Sequence, residues 1–242
     1  EPVRGGSLVK LPPAAQMIFD GLKEKGITLD FYSFHKYGSV PCQFKADIAT
    51  AYKLLSDYGC NDKTELILNE WNYVRGWLDD KWVHTRYSEK NEKGAAFIAG
   101  VMAVSQYSKL DMLMYYDARP TAFNGLFDMY TYRPLKGYYS FYTFSNLYEL
   151  KNQISATSDD DDVYVVGAKN GDKFATVITY YAEDDNKWEK YINIDFGTNE
   201  LDGAKILITD KNRTMAEYTS AKIENGKVRL FVERNTIIYI EK

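Results

Sequence analysis

Apolar positions along the first 150 residues switch between helical and strand spacing. Ala14, Met17, Ile18 and Leu22 fall at helical intervals behind Pro12-Pro13, a pair suited to a first helical turn, and Gly26 supplies the stop. The spacing predicts a helix up to about Lys25, then a short aromatic strand over 29–35 (LDFYSFH). A second helix is expected over 45–58, closed by Gly59, and a second strand over 65–70 (ELILNE). Residues 71–87 read as a long loop, and long loops in compact domains usually carry function or are disordered. A buried helix over 94–108, a third strand over 110–116 (LDMLMYY) and an aromatic helix over 135–150 complete this part. Helix and strand in alternation imply parallel strands joined by right-handed crossovers. The near-continuous apolar runs of the three strands predict burial on both sheet faces.

The pattern changes at Ile154. Residues 155–162 (SATSDDDD) form a polar, acidic junction, a run that is either solvated or able to bind calcium. Beyond it, VYVVGAK, FATVITYY, KYINIDF, AKILITD, KVRLFV and NTIIYIE alternate with turn signals such as Asn170-Gly171 and Asn225-Gly226. Such a series of short strands predicts an antiparallel sandwich. The expected division is therefore residues 1–153, an α/β unit, and 154–242, a β-sandwich that supports it structurally rather than binding a ligand.

Chemistry concentrates at the strand ends. Side chains alternate along a strand, so Leu66, Leu68 and Glu70 are expected on one face. Two apolar residues directed into a core would carry Glu70 to the C-terminal rim, where parallel α/β barrels build their active sites. A lone carboxylate among Leu, Trp and Tyr is costly to bury unless hydrogen-bonded or functional. Phe31, Ser33 and His35 repeat this geometry on the preceding strand, with Tyr37 just beyond. An imidazole and a phenol beside a carboxylate can hold it ionised and oriented. The third strand ends in Tyr115-Tyr116-Asp117-Ala118-Arg119. Asp117 and Arg119 either form a rim salt bridge or contact a polar substituent.

Composition narrows the function. With 21 Tyr, 12 Phe and 4 Trp the chain is 15% aromatic. Rings stack on sugar faces, but they also fill cores and sheets. The net charge of −4 argues against nucleic acid or an anionic membrane as partner. No run reaches the ~18 apolar residues that span a bilayer. Two cysteines, Cys42 and Cys60, are too few for a disulfide framework and are expected as free thiols. His35 and His84 lack metal-ligand spacing to other residues, so neither a metal nor another cofactor is predicted. Residues 1–4 (EPVR) do not open a signal peptide, which leaves a secreted and a cytoplasmic bacterial protein equally open.

These motifs resemble a known group. ELILNEWN looks like the seventh barrel strand of clan A glycoside hydrolases, where a Glu ends the strand as nucleophile. LDFYSFHKYG is similar to their sixth strand, above all in the family 39 β-xylosidases, which carry an xDFxSxHxY pattern there. The strand order, the aromatic helix and the trailing sandwich resemble that family over essentially the whole chain. The resemblance implies a partial TIM barrel followed by a sandwich, and a retaining β-glycoside hydrolase acting on an oligosaccharide or glycoside. Glu70 would be the nucleophile, with His35 and Tyr37 orienting it or touching the sugar. Asn69, Trp71 and Asn72 would shape the pocket. Trp77 and Trp82 either offer stacking platforms or pack their loop. The family's last strand often ends in a tryptophan beneath the sugar; here Tyr115 or Tyr116 would have to serve, with Asp117 and Arg119 nearby. β-Mannosidase, β-glucosidase and α-L-iduronidase-like specificities, and a non-catalytic carbohydrate-binding or structural module, are the competing readings.

One part of the pattern is missing. Clan A enzymes take their acid/base from an Asn-Glu pair ending the fourth strand, and the pairs Asn69-Glu70, Asn91-Glu92 and Asn199-Glu200 all lie elsewhere. A full barrel needs at least ~200 residues. The sequence reading is therefore a piece of a barrel that lacks an acid/base and is inactive alone. Such a piece would rely on a missing N-terminal half or on self-association.

Overall fold

A computed structural model describes residues 13–60, 63–123 and 125–242. The expectations resting on Pro12 and on residues 1–4 lie outside these. The chain begins with helix α1 (Pro13–Lys25), strand β1 (Phe31–Gly38), helix α2 (Pro41–Asp57) and strand β2 (Glu65–Tyr73). Helices α3 (Asp79–Ser88) and α4 (Glu92–Gln106), strand β3 (Met112–Tyr115) and helix α5 (Lys136–Leu150) follow. Two departures from the sequence reading concern helices. α2 starts four residues early, because Pro41 sits at its first turn, where a missing N–H costs nothing. α3 occupies most of the expected loop over 71–87; its polar sequence, DDKWVHTRYS, has no continuous apolar stripe to betray it.

β1, β2 and β3 form a parallel sheet in that order. Phe34 pairs with Leu68, but His35 pairs with Glu70, so β2 carries one extra residue. The β3 side agrees, since Leu113 pairs with Leu68 and Tyr115 with Trp71. Asn69 and Glu70 are thus a β-bulge seen from both neighbours, and a bulge reverses which face the following side chains take. Leu66 packs with Phe19, Ile48 and Leu55, and Leu68 with Phe44 and Phe97, so both face the helices rather than a barrel interior. This corrects the expected shared face. Glu70 leaves the Leu66–Leu68 face at the bulge and joins His35. The other sheet face is open, with Phe31 57%, Met112 43% and Met114 48% exposed, which differs from the two-sided burial expected.

The second part consists of a six-stranded antiparallel sheet and a two-stranded one. The larger runs β4 (Asn152–Ile154), β5 (Val163–Asn170), β6 (Lys173–Tyr180), β11 (Thr236–Glu241), β8 (Lys205–Thr209) and β9 (Ala216–Glu217) in spatial order. The smaller pairs β7 (Lys190–Asp195) with β10 (Lys227–Val232). Within the acidic run, Asp160 pairs with Lys190 and Asp162 with Lys187, so these two carboxylates serve as anchors for the β7 region. Among the described residues no cluster of His, Cys, Asp or Glu is grouped to hold a metal, and no helix is long and apolar enough to cross a membrane.

The larger sheet is buried on both faces. Ile178, Ile206, Ile208, Ile238 and Ile240 meet Ile192, Val228, Leu230 and Val232 of the smaller sheet. The alternate residues Val177, Leu207, Ile237 and Tyr239 share a core with α4 and α5. α4 is consequently apolar nearly all round, with twelve of its residues buried between the parallel sheet, α5 and the antiparallel sheet. Phe97 is its hub. The ring lies 5.5 Å from Phe44, 5.3 Å from Tyr73, 6.3 Å from Trp71 and 5.8 Å from Tyr181.

An ion network lies beside this core. Lys93, only 4% exposed at its side chain, reaches Glu183 at 3.2 Å and Asp185 at 3.0 Å in the segment after β6. The Tyr73 and Tyr181 hydroxyls also donate to Glu183. Burial pushes both phenols well above their ordinary range, reinforced by the Glu183 charge, so they stay protonated donors. Burial raises the Asp185 carboxyl, but hydrogen bonds from Lys93 and Arg75 outweigh it and hold the group at about 2, below its ordinary 3.8.

Two outcomes are expected. Phe97→Ala should cost ~3–5 kcal/mol in urea unfolding, the range for a large aromatic deleted from a filled core. Asp185 binds its proton more weakly folded than unfolded, so its stabilisation is present above about pH 4 and disappears as pH falls through about 2. Unfolding free energy should decline over that window, and Asp185→Asn should flatten the decline.

Candidate active site

The bulge sets up the site. It brings Glu70 beside His35 on the open face, where His35 Nδ1 lies 2.5 Å from Glu70 Oε2. The Glu70 side chain is 21% exposed, reachable but sheltered. Tyr37, two residues after His35 on the same strand, brings its hydroxyl up to Glu70. Burial raises the Tyr37 phenol first, then its bond to Glu70 and the nearby Tyr116 and Asp117 groups, so it remains a proton donor at neutral pH. Glu70 is thus flanked from one neighbouring strand by an imidazole and a phenol. A carboxylate so oriented at an open sheet rim can attack an electrophilic carbon or act as a base.

An aromatic wall continues from Tyr37. Trp77 meets Tyr37 edge-on at 5.1 Å and stacks on Trp82 at 5.5 Å with 23° between planes. Phe123 closes the group, 6.0 Å from Tyr37, 6.2 Å from Trp77, 5.6 Å from Trp82 and 6.3 Å from Tyr116. Trp77 is 55% exposed, so the wall presents ring surface to solvent. Sequence reasoning passed over Phe123; its signal was an isolated large aromatic in the otherwise small and polar stretch after Arg119.

The remaining expected residues divide into two groups. Asn69 is exposed at the bulge, and Tyr116 stands at the rim on the Phe123 side. Asp117 accepts hydrogen bonds from the Arg119 amide, Nε and Nη2 at 3.0, 2.9 and 2.6 Å, the rim salt bridge of the two readings. Trp71 and Asn72, by contrast, do not line an open pocket. Trp71 is fully buried on the helix side, edge-on to Phe44 and Tyr115, because the face reversal that frees Glu70 turns its neighbour inward. Asn72 is 1% exposed; its amide donates to the Tyr116 carbonyl at 2.9 Å and its oxygen accepts from Tyr73 N–H. It joins the ends of β2 and β3. Tyr115 packs on the helix side against Trp71 and Phe141 and accepts from Gly125 N–H, which leaves Tyr116 as the rim tyrosine.

No protein-family model matches this sequence, and no curated protein matches it. Solved structures do. A glucosidase from Croceicoccus marinus superimposes with a TM-score of 0.69 at 17% identity, over 97% of this chain and 58% of its own. A glycoside hydrolase family 39 enzyme from Xanthomonas axonopodis pv. citri gives 0.65 at 10% identity, over 97% and 58%. A family 44 endoglucanase from Clostridium acetobutylium gives 0.61 at 14%, over 93% and 50%. The chain thus spans little more than half the length of the structures it matches. At these identities the likeness is one of fold, shared with structures described as a glucosidase, a family 39 enzyme and a family 44 endoglucanase.

Proposed function

We propose that this chain is the nucleophile-bearing part of a retaining β-glycoside hydrolase with xylosidase-like specificity. Residues 1–153 then form the last strands and helices of a TIM barrel, and 154–242 the attached sandwich. The observation that carries the reading is the Glu70–His35–Tyr37 arrangement on the open sheet face beside an aromatic wall. The fold likeness to glycosidases, and the exposed Phe31, Met112 and Met114 beneath Glu70, support it.

In this mechanism the Glu70 carboxylate attacks the anomeric carbon, and the C1–O bond to the leaving group breaks. The product is a glycosyl ester on Glu70, which water cleaves with overall retention. His35 and Tyr37 fix the attacking oxygen and stabilise its charge before reaction. Trp77 and Tyr116 offer ring faces to the sugar and its neighbour, and Asn69 lies at the pocket edge. The second carboxyl group must sit ~5–5.5 Å from the first. Asp117 is committed to Arg119 at 2.6 Å, so the leaving group's proton comes from an acid outside residues 13–242, supplied by the remaining strands of the barrel. Those strands also cover the open sheet face, whose apolar side chains and unpaired edges otherwise invite self-association.

Three measurements test this. A 2-fluoro-glycoside incubated with the complete protein should esterify Glu70, read by peptide mass mapping; a label on any other residue overturns the assignment. Glu70→Gln in that protein should lower kcat/KM for aryl β-xylosides by at least roughly 10⁴-fold, as loss of a covalent nucleophile does. Residues 1–242 alone should turn these substrates over no faster than buffer, and turnover at the rate of the complete protein would refute the split-site account.

A further inference from the structure

The two tryptophans of the wall come from different segments. Trp77 lies in the turn leaving β2, and Trp82 lies on α3. Their contact depends on how that turn is held against that helix. Inside the turn, Arg75 N–H donates to Thr85 Oγ1 at 3.0 Å, and Thr85 donates back to the Lys81 carbonyl at 2.8 Å. Gly76 is pressed against the helix so closely that a Cβ there would come within 2.8 Å of Lys81 Cβ. The side-chain ties run outward. Arg75 Nη1 reaches Asp185 Oδ2 at 2.9 Å, and His84 Nε2 lies 3.2 Å from the same oxygen. Arg75 Nε also meets Glu183 Oε1 at 3.3 Å.

We infer that Asp185 and Glu183, carried by the antiparallel part of the chain, are positioning residues for the Trp77–Trp82 stack. One Asp185 oxygen meets both Arg75, two before Trp77, and His84, two after Trp82, whose side chains also touch each other at 2.8 Å, so it braces the joint between the two segments. Lys93, buried beneath, holds the two acidic residues in place through Glu183 and Asp185. The sandwich then does more than cover apolar surface: it fixes a sugar-contacting ring from behind. This rests on the glycosidase reading for its consequence to substrate, but the stack itself exists without substrate.

The test uses the complete protein. Two indoles stacked this closely give a coupled circular dichroism band, and Trp82→Phe defines the baseline without it. Asp185→Asn, at a side chain 42% exposed, is expected to fold and to lose most of the band, while Asp185→Glu restores part of it. With an aryl glycoside, Asp185→Asn should raise KM roughly two- to tenfold, the range an aromatic contact carries, and leave kcat unchanged. Arg75→Lys, which cannot span both carboxylates, should act the same way and serves if Asp185→Asn does not fold. A full-strength band in a folded variant overturns the inference. A lost band with unaltered KM overturns its link to substrate. Absence of any glycoside turnover by the wild-type protein sinks the hydrolase reading while leaving the band measurement to decide the positioning role.

Discussion

The single extra residue in β2 governs the rest of the site. Without it, strict alternation would leave Glu70 on the face of Leu66 and Leu68, against the α2 side of the sheet, and would send Trp71 to the open rim. With it, the carboxylate meets His35 and the indole fills the space among Phe44, Phe97 and Tyr115. Polar and apolar requirements at adjacent positions are met by one local irregularity, confirmed by the pairing of both neighbouring strands. Among the described residues the buried indole's Nε1 has no hydrogen-bond partner, a cost that the ring contacts around it offset.

Packing around α4 fixes what the bulge presents. The helix is gripped on three sides, so Trp71 and Tyr73, on the far side of the strand from Glu70, rest on a surface that cannot shift easily. Tyr73 also donates to Glu183, and Lys93 rises from the first turn of α4 to the same carboxylate. Strand β2, the central helix and the antiparallel sheet are in this way joined by both dispersion and charge within one contiguous core.

Much of this was legible in the sequence. Periodicity and the turn glycines located the long helices and the three parallel strands, because a buried face imposes its spacing on the residues that fill it. Gly26 and Gly59 indeed take positive φ, 63° and 70°, at the ends of their helices. α3 escaped because a half-exposed helix with two leading aspartates needs no apolar stripe. The bulge escaped because register is counted against neighbouring strands, which no single segment records. Glu70 stands near the C-terminal end of its strand, as the sequence suggested, yet by leaving the Leu66–Leu68 face rather than sharing it. Trp71 and Asn72 were misread for the same reason. Phe123 is brought to the rim by a loop whose path depends on Gly125 closing on Glu89, a contact with no local signature.

The larger antiparallel sheet has a consequence for engineering. Its strands alternate between two interiors, with Val177 and Ile237 belonging to the helical layer and Ile178 and Ile238 to the β-ribbon layer. Cutting at the acidic junction would strip one of those interiors bare and yield a sticky slab, not a transferable cassette. A graft that moves this sheet onto another scaffold has to carry α4 and α5 with it, which shifts the seam of any chimera upstream of Glu92.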